Sequence, residues 1–89
     1  MSSRIFQFEG RALSEFHEWA SVHKPTFDKI HKLLEEIRRT PFTGTGKPEP
    51  LKHEFKGYWS RRIDHEHRLI YKVTEEAIII ISFKGHYTS

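Results

Sequence analysis

Apolar residues recur along the chain with distinct periods. Ile5-Phe6-Gln7-Phe8 is a short aromatic and branched run, which predicts a strand. From Gly10 the spacing widens. Leu13, Phe16 and Ala20, with Trp19 nearby, fall three and four apart and predict a helix that breaks at His23-Lys24-Pro25. Phe27, Ile30, Leu33, Leu34 and Ile37 then draw one stripe along a second helix. Pro25 suits its first turn, Arg38 and Arg39 suit the negative end of its dipole, and Pro41 stops it.

Three of the four prolines and two of the five glycines lie between Pro41 and Pro50, so that segment reads as a loop, neither helix nor central strand. Strand patterns resume over Gly57–Ile63, His67–Val73 and Ala77–Lys84. Asp64-His65-Glu66 and Thr74-Glu75-Glu76 are short connections, which predicts an antiparallel meander. The expected fold is α+β: an N-terminal strand and a helix pair on one face of a mainly antiparallel sheet of four to five strands. Alternation from His67 puts Leu69, Tyr71 and Val73 on one face, against the helices. Arg68, Ile70 and Lys72 fall on the other, with Arg68 and Lys72 expected to look outward.

At 89 residues the chain suits one domain over 1–89. There is no cysteine, hence no disulfide frame, thiolate nucleophile or Cys-type zinc site. No apolar window approaches a membrane span, and the start lacks a signal-peptide core, so a reduced, cytoplasmic protein is expected. The net charge of +3 hides an uneven distribution. Residues 38–72 carry nine bases against four acids, net +5, while both flanking segments are −1. A basic stretch interleaved with aromatics suits a polyanion such as RNA, and an ordinary lysine-rich surface gives the same count.

Individual clusters carry less. His65-Glu66-His67 has alternate imidazoles but no third ligand, and no His-Glu-x-x-His is present. His17, His23, His31 and His53 fit surface or cap positions. Gly44-Thr45-Gly46-Lys47 lacks the strand and helix that would make its amides converge on a phosphate. Ser14, Ser21 and Ser60 have no His–acid grouping to activate them. Arg61 reads as a surface salt bridge. Glu49, between Pro48 and Pro50 and flanked by Lys47 and Lys52, is by composition an acidic loop residue; His86 is a terminal histidine.

Arg38-Arg39-Thr40-Pro41-Phe42, Gly46-Lys47-Pro48-Glu49-Pro50-Leu51-Lys52, Trp59-Ser60-Arg61-Arg62-Ile63, Glu66-His67-Arg68-Leu69 and His86-Tyr87 together resemble the YoeB family of bacterial toxin endoribonucleases, in the RelE-like group. The first 25 residues match only in pattern, and Thr88-Ser89 and Met1-Ser2-Ser3 extend slightly beyond the family's usual ends. The resemblance implies a RelE-like microbial RNase fold and cleavage of messenger RNA in the ribosomal A site, without metal or cofactor. It also implies a homodimer, a YefM/Phd-like antitoxin, and operator DNA contacted only through the antitoxin complex, with no membrane partner.

Carried over residue by residue, the resemblance makes Glu49 the general base, His86 the general acid and Arg68 the phosphate clamp. Lys52 and Arg62 become further phosphate contacts, and Tyr87 a base-stacking or His-supporting group. Metal-free cleavage needs those functions: a base for the 2′-hydroxyl, an acid for the departing 5′-oxygen and cations for the phosphorane. A non-enzymatic module that binds RNA or antitoxin in an operator-bound repressor complex would carry the same charge map.

Overall fold

Phe27 to Ile37 form the apolar spine of the longer helix, and the sheet is laid against it. The computed structural model describes residues 4–85. In chain order they form β1 (Ile5–Phe8), α1 (Ala12–Val22), α2 (Lys24–Arg39), β2 (Glu49–Pro50), one 3₁₀ turn (His53–Phe55), β3 (Trp59–Arg62), β4 (Arg68–Val73) and β5 (Ala77–Ser82). The strands make one sheet in the order β1-β5-β4-β3-β2. β1 runs parallel to β5 and every other pairing is antiparallel. The expected α+β arrangement is therefore present with five strands.

α2 starts as its sequence predicts. The His23 ring accepts from the Thr26 N–H at 3.3 Å and Pro25 occupies the first turn. Ile30, Leu33, Leu34 and Ile37 are buried against Leu69, Tyr71, Ile78, Ile80 and Phe83. Each such side chain contributes about 1.5–3 kcal/mol by leaving water. Rings of Phe8, Phe16, Phe27 and Phe83 close one end, with centroids 4.9 to 5.6 Å apart.

α1 presents a different face from the one its apolar spacing predicts. Leu13 is 53% exposed and Ala20 is exposed, whereas Ala12, Trp19 and the carboxylate Glu15 are buried. The reason lies in the partners. Glu15 Oε1 accepts from the Phe83 N–H at 2.8 Å and the Ser82 hydroxyl at 3.3 Å, and Trp19 Nε1 donates to the Phe83 carbonyl at 2.9 Å. Hydrogen bonds of this kind offset the cost of burying a polar group, and hydropathy does not register them.

The β4–β5 connection is a Thr74 turn, whose hydroxyl accepts from the Ala77 N–H at 3.0 Å. Farther along, Ile70 pairs with Ser82 but Tyr71 with Ile80, so Ile81 is a bulge residue. Among the described residues no helix is long and apolar enough to cross a membrane.

Candidate active site

Both helices lie on one side of the sheet, so the other side is built from alternate residues of β2 to β5. Trp59, Leu69 and Tyr71 pack toward the helices. Ser60, Arg62, Arg68, Ile70 and Lys72 therefore stand on the open side. Cross-strand partners share a face, and the registers order this surface into rows. Arg62 pairs with Arg68, and Ser60 pairs with both Ile70 and Glu49. Glu49 thus lies one row from the Arg62–Arg68 pair. Standard strand spacing puts its Cα about 12 Å from that of Arg68, a gap that two long side chains can span around one phosphate.

Glu49 sits where a loop was expected. Glu49–Pro50 is a two-residue edge strand, which a proline tolerates because its missing N–H faces away from the ladder. The hydrogen bond from the Arg62 N–H to the Gly46 carbonyl, at 2.7 Å, continues this pairing beyond the strand. Glu49 is exposed, as are Arg62 and Lys52; Lys52 precedes the 3₁₀ turn and shares no strand with the others.

Arg68 is not turned outward as its alternation predicts. It is 8% exposed, and Ile70 on the same face is fully buried. Arg68 Nη1 donates to the carbonyls of Asp64 at 2.9 Å and His67 at 3.2 Å, which folds the guanidinium back over the β3–β4 turn. Asp64 organises that turn by accepting from the N–H groups of Glu66 at 2.9 Å and His67 at 2.6 Å. Burial pushes the Asp64 carboxyl up, but these amides outweigh it and hold it below the ordinary aspartate value.

The end of the described chain meets the same turn. Arg68 N–H donates to the Gly85 carbonyl at 3.0 Å, and Gly85 N–H donates to His67 Nδ1 at 2.9 Å. His67 thereby keeps its Nδ1 as an acceptor, and its ring stands edge-on to Trp19 at 5.3 Å. His86 and Tyr87 lie outside the described residues. Among the described residues no three His, Asp or Glu side chains gather as metal ligands.

Arg61 corrects a further expectation. It is fully buried rather than a surface ion pair. Its guanidinium donates to Glu36 Oε1, to the Tyr71 hydroxyl at 3.1 Å, and to the carbonyls of Thr40 at 2.7 Å, Thr43 at 2.8 Å and Thr45 at 3.2 Å. Tyr71 donates in turn to the Pro41 carbonyl at 2.6 Å. Burial raises the Tyr71 hydroxyl's pKa despite the neighbouring guanidinium. One arginine thus staples the loop from Thr40 to Thr45 that leads to Glu49. Gly44 suits that loop, since its φ of +127° is one that L side chains rarely adopt and a Cβ would press on the Glu36 carboxylate held by Thr45 and Arg61. The signal was present in the pair Arg61-Arg62: neighbours on a strand face opposite sides, so one arginine had to point at the helices.

The Glu36 carboxyl is held below the ordinary carboxylate range, first by the Thr45 N–H at 2.7 Å, then by the Thr45 hydroxyl at 2.9 Å and Arg61. A depressed carboxylate stabilises the fold fully above its unfolded value of 4.5 and loses that contribution as pH falls through the folded value. Melting temperatures taken from pH ~6 down to ~3 should fall for the wild type. Glu36→Gln should start lower at the upper end and show a shallower acid slope, Asp64 supplying the remainder. Parallel curves for the two proteins would contradict this assignment.

A family profile for the YoeB-like toxin of bacterial type II toxin–antitoxin systems matches residues 8–87. Toxin YoeB of Escherichia coli K12 is 51% identical over 69 residues, 78% of this chain and 82% of that protein. A YoeB dimer from Staphylococcus aureus superposes with a TM-score of 0.89 at 40% identity, covering 97% of this chain and all of that one. The same organism's toxin in a heterotetrameric YoeB–YefM complex gives 0.86 over the same coverage. With profile, sequence and fold in agreement, the chain belongs to the YoeB-like toxins of bacterial type II toxin–antitoxin systems.

Proposed function

We propose that this toxin is a metal-independent endoribonuclease that cuts messenger RNA in the ribosomal A site, with residues 1–89 acting as one catalytic unit in the cytoplasm. The observation that carries the reading is the shared open face on which Glu49 lies one row from paired Arg62 and Arg68. Glu49 takes the proton of the RNA 2′-hydroxyl, whose oxygen attacks the adjacent phosphorus. The P–O5′ bond breaks, His86 protonates the leaving 5′-oxygen, and a 2′,3′-cyclic phosphate remains. Arg68, its plane fixed by two main-chain carbonyls, supports the phosphorane charge with its remaining donors, in a geometry lysine does not reproduce. Arg62 and Lys52 hold neighbouring phosphates, and Tyr87 stacks on a base or supports His86.

A domain this small has few groups for reading bases, so the ribosome positions the substrate. The antitoxin complex and the dimer of S. aureus YoeB support a YefM/Phd-like antitoxin and a second copy of the chain as partners here; operator DNA is contacted only through the antitoxin complex. Purified protein, stripped of metal with EDTA and then exchanged into magnesium buffer before it meets translating ribosomes, should yield new RNA ends carrying a cyclic or 3′-phosphate as fully as untreated protein. Intact messenger would favour a non-enzymatic RNA- or antitoxin-binding module, and cleavage lost on stripping and restored by an added transition metal would replace the metal-free chemistry.

A further inference from the structure

The rows of the open face continue past Glu49 in the direction away from Arg68. Trp59 pairs with Tyr71 on the helix side, so the positions flanking them, Tyr58 and Lys72, come together on the open side. Lys72 Nζ stands 5.6 Å from the Tyr58 ring centroid. Lys72 is exposed and Tyr58 half-buried. Phe55 stands edge-on to the Tyr58 ring at 6.4 Å and supports it from the 3₁₀ turn. Among the described residues no carboxylate forms an ion pair with Lys72. Among the described residues its charge thus has no ion-pair partner, and it lies in a basic region.

Three successive rows now line one face. Arg62 and Arg68 form the first, Glu49 with Ser60 and Ile70 the second, Tyr58 and Lys72 the third. Alternate residues along a strand are about 6.8 Å apart, a step comparable to one nucleotide of an extended strand. An aromatic ring beside a cation is the unit by which single-stranded nucleic acid is held without base reading: the ring stacks on a base and the cation neutralises a phosphate.

We propose that Tyr58 and Lys72 form a subsite for the nucleotide flanking the scissile phosphate, on the side of Glu49 away from Arg68. In the free protein the ammonium rests over the ring. On binding single-stranded RNA it swings to the incoming phosphate, on a stem flexible enough for that movement, and leaves the ring face to the base. The subsite deepens the ribonuclease reading and rests on it for the position of the cut, but its RNA contacts are testable without cleavage.

The test uses two readouts on the full chain. The first is fluorescence anisotropy of a fluorescein-labelled seven-nucleotide RNA carrying 2′-O-methyl groups, which cannot be cut. Tyr58→Ala and Lys72→Ala should each weaken binding by about fivefold or more, whereas Tyr58→Phe and Lys72→Arg should bind like the wild type. The second is cleavage on programmed ribosomes, where Lys72→Ala should raise the half-saturating ribosome concentration and spare the maximal rate. If circular dichroism shows Tyr58→Ala unfolded, Lys72→Ala and Lys72→Arg decide alone. Unchanged RNA affinity in the alanine variants, or Tyr58→Phe as weak as Tyr58→Ala, would overturn the subsite. RNA binding that depends on Tyr58 and Lys72 without any cleavage by wild type would sink the ribonuclease reading and leave the subsite standing.

Discussion

Glu49→Gln should slow ribosome-dependent RNA cleavage by about 10²–10⁴-fold, the usual contribution of a positioned general base. The substitution preserves size and shape and removes only the ability to take a proton. Glu49 is exposed on a two-residue edge strand, so nothing buried depends on its charge. The variant should therefore melt within about 0.5 kcal/mol of the wild type, as surface changes do. Arg68→Ala should lose as much activity but for a mixed reason. Arg68 is buried and bonded to the carbonyls of Asp64 and His67, so its loss also loosens the β3–β4 turn. Arg68→Lys discriminates: the charge stays, the fork goes, and activity should remain low. Full cleavage by a folded Glu49→Gln protein would remove the carboxylate from the mechanism.

Which parts of this site were legible depended on which physical signal carried them. Strand alternation from His67 correctly divided β4 into a helix side and an open side, because period-two patterning is a direct consequence of backbone geometry. The α2 stripe was equally legible, since every buried position in it is aliphatic. The apolar spacing of α1 misleads because Phe16 fits both the Leu13–Phe16–Ala20 stripe and the face on which Ala12 and Trp19 are buried. The decisive neighbour was a buried glutamate that hydropathy scores as surface. Alternation alone turns Arg68 outward for the related reason that its burial depends on carbonyls of a turn, which no side-chain pattern encodes. The Glu49–Pro50 pairing was hidden by its own prolines. A strand two residues long at a sheet edge leaves no periodicity to detect. That Glu49 lies one row from Arg68 is not encoded in spacing along any one strand, because it depends on register across three strands.

Arg61→Met on β3 should be strongly destabilising, costing about 3 kcal/mol, because a fully buried guanidinium that bonds half-buried Glu36 and three loop carbonyls is lost at once. For a chain of this size that lowers the melting temperature by about 12 °C or more. The guanidinium is fully buried, and its removal strips donors from the carbonyls of Thr40, Thr43 and Thr45 together with the Glu36 carboxylate. Stranded acceptors of this kind cost more than the net worth of the bonds themselves. The adjacent Arg62 supplies the control. Arg62→Met lies on the exposed face, so its stability should move by no more than about 0.5 kcal/mol while RNA binding weakens and its salt dependence flattens. Two arginines side by side in the chain thus separate the two demands on this strand. The inward one holds the Thr40–Thr45 loop, and through the Gly46 carbonyl bonded to the Arg62 N–H, the edge strand that carries Glu49. Arg61→Met assayed well below its own melting temperature should therefore still cleave poorly, because Glu49 has lost its fixed register. A stable, fully active Arg61→Met protein would show that the loop is held by other contacts.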